Sequence, residues 1–75
     1  MIITLVAIMC NAQGLCIEHA LGNNKEYSFT MEECLSPTGG GYGARFAMKM
    51  NPNFEGWTFK TWRCVEGNYK TEKKT

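Results

Sequence analysis

The stretch CNAQGLC, Cys10 to Cys16, decides how the chain is arranged. Between its cysteines, Asn11 and Gly14 are residue types that suit a reversal. Before it, Ile2 to Met9 is β-branched and apolar with no turn former, so it reads as a strand. Ile2, Val6 and Ile8 fall on one side of that strand, and Ile3, Leu5 and Met9 on the other. A strand apolar on both faces wants cover on both. After it, Leu15, Ile17, His19 and Leu21 alternate with Cys16, Glu18 and Ala20. The first two strands therefore form a hairpin.

Working outward, GNNK, Gly22 to Lys25, reads as a loop. Thr30 and Glu33 then have the spacing of a capping box, which starts a helix at MEECL. Pro37 and the run GGGYG, Gly39 to Gly43, interrupt it at once. A second helical piece, ARFAMKM, sets Phe46 and Met50 on one face and stops before Pro52. The last strand is GWTFKTWRC: Trp57, Phe59 and Thr61 are expected on one side, Thr58, Lys60 and Trp62 on the other. The order β-β-α-β gives a small α+β domain. Its three-stranded, mainly antiparallel sheet carries one interrupted helix on one face. A single compact domain is expected over 1–68, with a polar basic tail over 69–75.

A chain of 75 residues buries a limited core, and four cysteines are many for that length. Such density marks a disulfide framework in an oxidising compartment. The net charge of +1 leaves no electrostatic footprint for nucleic acid or an anionic membrane, so neither is expected as a partner. The apolar start carries no charge before Glu18 and is too short to span a bilayer. It reads as a buried strand rather than a cleaved signal. Density of cysteine and lack of an export signal conflict, unless the protein leaves its cell by lysis. A host cytoplasm, then a virion or extracellular location, satisfies both.

The topology constrains the cysteines. Cys10 and Cys16 face each other across the top of the hairpin. Cys34, in the first helical turn, and Cys64, closing the last strand, both lie at the bottom. The pairing Cys10–Cys16 with Cys34–Cys64 follows, one of three connectivities. The second bridge closes the longer loop and contributes on the order of 3 kcal/mol. Two alternatives stand beside it. A zinc site lacks the usual paired ligand spacing, since five, seventeen and twenty-nine residues separate successive cysteines. Four reduced, buried thiols would pack as small apolar residues.

An enzyme is not expected, and neither is a cofactor. The chain has one His and no Asp. It has no Gly-x-Ser-x-Gly and no base oriented beside a cysteine. Glu32 and Glu33 suit the field at a helix start. GGYGARF, Gly40 to Phe46, only glances at an RNA-recognition motif and is no phosphate loop, so it reads as a flexible break between helical pieces.

One feature points outward. A single broken helix covers one face of the sheet. The other should expose an aromatic and aliphatic patch built from Ile2, Val6, Ile8 and the tryptophans, with Trp57 and Trp62 on opposite sides and Trp62 near the patch centre. The glycine-rich loop, Tyr27, Phe29 or the tail could cover it instead.

With MIITLVAIMC, the second cysteine, MEECL and NPNF…TWRC in place, the chain resembles a group of short four-cysteine proteins of alphaproteobacteria and their phages. The likeness covers most of the chain. It departs at SPTGGGYG, where the group has a more continuous helix, and it brings no assigned activity. What it implies is a prokaryotic or phage setting. The expected function is a non-enzymatic, disulfide-stapled protein acting by protein–protein contact or self-association, as a phage accessory or virion-associated protein. The rival is a small phage-encoded inhibitor of a host enzyme or defence protein.

Overall fold

A three-stranded antiparallel sheet forms the base of the structure, a computed structural model that describes residues 1–67. The tail expected over 69–75 lies outside the described residues. The strands are β1 (Ile3–Cys10), β2 (Cys16–Asn23) and β3 (Thr58–Glu66), in the spatial order β2-β1-β3. The most apolar strand takes the centre, where both edges are paired and both faces can be covered. Val6 and Ala7 are wholly buried, and Ile3 and Met9 nearly so. The hairpin turn closes as its residues suggest: the Asn11 side chain accepts from the N–H groups of Gln13 and Leu15. Gly14 supplies a positive φ of 88°.

Both pairings contain a register shift. Between β1 and β2, Leu5 faces Gly22 and Val6 faces Ala20, which leaves Leu21 as the extra residue. Between β1 and β3, Met9 faces Phe59 and Ile8 faces Thr61, so Lys60 is extra. The second shift overturns the alternation expected for the last strand. Trp62 lies opposite Ala7, on the same side as Met9 and Phe59. Trp57, Phe59 and Trp62 all pack on the cluster of Ala7, Met9, Ala44 and Met48 under the helices. The tryptophans therefore share the helix-covered face.

The helical layer contains α1 (Asn24–Tyr27), α2 (Met31–Leu35) and α3 (Tyr42–Lys49). The segment read as a loop thus holds a helical turn. Asn23 and Glu26 cap it reciprocally, an Asn-x-x-Glu signal equivalent to the one at Thr30 and Glu33. Asn24 also ties the chain start, accepting from Ile3 N and donating to Met1 O, each at 3.0 Å.

The glycine run is not a flexible break. Pro37–Gly41 forms a wide helical turn that joins α2 to α3, with Gly41 N donating to Ser36 O at 3.0 Å. Gly40 and Gly41 are buried. A Cβ on Gly40 would collide with the Cys34 carbonyl, and one on Gly41 would stand 2.7 Å from the Trp62 ring. Close approach of backbone to its neighbours is what these positions need from glycine.

Candidate functional site

Two disulfides staple the fold. Cys10–Cys16 links the two strands at the hairpin end, with Cα atoms 4.0 Å apart. Cys34–Cys64 ties α2 to β3, with Cα atoms 6.2 Å apart. Cys64 lies opposite Leu5 in the pairing of β3 with β1. The bridges differ in access, for Cys16 is exposed whereas Cys34 is 1% exposed.

The sheet face away from the helices carries Thr4, Val6, Ile8 and Cys10 on its central strand. Glu18 on β2 is paired with Ile8, and Arg63 on β3 with Val6. Their side chains meet across β1 in an ion pair of 2.6 Å. Long side chains lay their methylene stems over apolar neighbours while keeping the charge wet, which accounts for a fully buried Val6 on the face that no helix covers. Of the residues expected to form an aromatic patch here, Ile2 and Ile8 are half-buried, Val6 is buried, and both tryptophans are on the other side. Among the described residues, no aromatic patch forms on this face, because the extra residue at Lys60 turns Trp62 toward the helices.

Exposed apolar surface gathers instead on α3. This helix buries the small Ala44 and the flexible Met48. Its outward side shows Tyr42, Phe46 and Met50 at successive helical turns, with 63%, 53% and 64% of their surfaces exposed. The Tyr42 and Phe46 rings lie nearly parallel, 6.3 Å apart. Arg45 and Lys49 flank the stripe, and the Arg45 guanidinium stands 5.1 Å from the centre of the Phe59 ring. The i, i+4 relation of Phe46 and Met50 was visible in the sequence. The direction it faces was not, because that depends on α3 resting on Ala44 and Met48.

Beside the stripe, a cavity of about 500 Å³ opens between the sheet and the helical layer. Leu5 and Leu21 come from the sheet, Gly43 and Ala47 from α3, Tyr27 from the end of α1 and Phe29 from the segment between α1 and α2. Glu33 is the carboxylate in its lining, and its Oε1 accepts from Thr30 N at 2.8 Å as part of the helix cap. No sequence motif announces this space, since glycine and alanine shape it by lacking side chains.

The remaining chemistry-bearing side chain, His19, packs its ring 5.0 Å from that of Phe54. Phe54 in turn meets Trp57 edge-on at 6.0 Å. Among the described residues, no three His, Cys, Asp or Glu side chains are grouped to hold a metal ion. No helix there is long and apolar enough to cross a membrane. No family model, curated protein or solved structure matches the chain.

Proposed function

We propose that the protein is non-enzymatic and acts by protein–protein contact through the outward side of α3. The observation that carries this reading is the stripe of Tyr42 and Phe46 on α3 and Met50 at its C-cap, each more than half exposed. Contiguous aromatic surface of this kind is costly to leave in water and is enriched at the centres of interfaces. Arg45 and Lys49 at its edge favour a partner surface with acidic groups around an apolar centre. The disulfides give that surface a rigid base, which lowers the ordering cost of association. A phage accessory or virion-associated role is the setting in which we place it, and that part rests on the resemblance of the cysteine framework alone.

Light scattering on size-exclusion fractions tests self-association. The wild type should gain mass with concentration, and a Tyr42→Ser, Phe46→Ser, Met50→Ser triple variant should stay monomeric with its thermal unfolding unchanged. A wild type that stays monomeric removes self-association and leaves a heterologous partner. Cross-linking of purified particles, with the triple variant as control, tests that version.

A further inference from the structure

We infer that the cavity between the sheet and the helical layer is a binding site for an uncharged, mostly apolar small molecule. The space is about 500 Å³ and open to solvent at its rim, where Tyr27, Ser28, Glu33, Gly43 and Ala47 are exposed. That volume is within the range of ligand sites, which are concave and apolar with a few polar groups. A dry apolar cavity of about 150 Å³ accepts benzene; by the same scaling this one holds a molecule of roughly twenty non-hydrogen atoms.

The lining selects the charge of the occupant. Among the described residues, no Lys, Arg or His lines it. Glu33 would repel an anion, and its carboxylate is already engaged by the N–H of Thr30. A carboxylate drawn into it would lose part of its hydration and find no cation among the described residues. The walls are aliphatic and aromatic: Leu5 and Leu21 on the sheet side, Tyr27 and Phe29 on another. Tyr27 is 68% exposed, which places it at the opening.

The α3 wall is what keeps the space free. A Cβ built on Gly43 meets no atom within 4 Å, so a larger side chain fits there without collision. Leucine at this position would occupy volume the ligand needs and would also raise helix propensity over glycine. Occupancy can thus be blocked without unfolding the protein.

The probe is N-phenyl-1-naphthylamine, a neutral molecule that fluoresces in apolar surroundings, titrated into the oxidised protein. Saturable binding with one site per chain is expected, with displacement by 1-dodecanol. Dodecanoate should displace at least about tenfold more weakly, the factor that corresponds to about 1.4 kcal/mol of unpaired charge burial. Gly43→Leu and Ala47→Leu should each weaken probe binding about tenfold or more while melting no lower than the wild type. Tyr42→Ser with Phe46→Ser should leave it unchanged, which separates the cavity from the contact stripe. Unsaturable binding overturns the inference. So does equal displacement by alcohol and carboxylate, or wild-type affinity in both leucine variants. Loss of binding in the Tyr42→Ser, Phe46→Ser variant alone would move the probe to the stripe and also reject the cavity.

Discussion

Trp62 and Cys34 stand at a double tie between α2 and β3. The Trp62 indole N–H donates to the Cys34 carbonyl at 2.7 Å, and the sulfur of Cys34 is bonded to Cys64, two residues beyond Trp62 on β3. One residue of α2 is therefore fixed to the sheet through its backbone and through its side chain. The glycine turn packs against the same pair.

Replacing Trp62 by Phe keeps most of the ring and removes the donor. The Cys34 carbonyl loses a partner in a half-buried site, so a loss of about 1–2 kcal/mol is expected. Urea unfolding with an unchanged slope would show it. A Trp62→Phe variant as stable as the wild type would mean that water replaces the indole.

The glycines of the run should not respond alike. Gly40→Ala and Gly41→Ala place a Cβ against the Cys34 carbonyl and the Trp62 ring, and each should destabilise by about 1–3 kcal/mol. Gly43→Ala meets open space within a helix and should stabilise by up to about 1 kcal/mol. Melting curves of the three single variants decide the matter by their sign.

Reduction should proceed in two steps. The bridge at the hairpin end has an exposed Cys16, whereas Cys34 is 1% exposed. Under mild thiol, alkylation and intact mass should show Cys10 and Cys16 labelled first, with Cys34 and Cys64 still joined. The order of stabilisation is the reverse of the order of access. Sequence separations of 30 and 6 give the longer loop about 1.4 kcal/mol more in the chain-entropy account. Removing Cys34 and Cys64 together should thus cost more than removing Cys10 and Cys16.

The ion pair across β1 should contribute little through charge. Arg63 and Glu18 are partly exposed, and pairs of that kind couple by about 0.2–1 kcal/mol. A double-mutant cycle with Arg63→Met and Glu18→Gln should give a coupling in that range, falling as salt is raised. Arg63→Met should preserve more stability than Arg63→Ala, because the stem over Val6 is what the methionine retains.

The element order, the hairpin, the capped start of α2 and the sites of both bridges were legible in the sequence, because local rules govern them. Asn and Gly mark the reversal, Thr30 and Glu33 mark the cap, and antiparallel neighbours bring the cysteines to matching ends. What escaped was set by counting across strands. An extra residue at Lys60 has no local signature, yet it decides which way Trp62 points relative to Trp57. It keeps Trp62 off the open face and on the side that the helices cover. The cavity escaped for a different reason, since an absence of side chains reads in a sequence as flexibility. Gly40 and Gly41 are there to let neighbours close in, and Gly43 faces space.

The spare residue in β3 also makes parity, rather than length, the quantity this strand preserves. Nine residues of β3 lie along eight of β1, and Lys60 is the one left over. Shortening the chain there by one would leave Phe59 over Met9, Trp62 over Ala7 and Cys64 over Leu5, every side chain on the face it has now. Shortening it by one between Trp62 and Cys64 would instead set the tryptophan and the disulfide on opposite faces, a choice the strand could satisfy only by giving one of them up. The same deletion is therefore nearly silent at one position and ruinous three residues later.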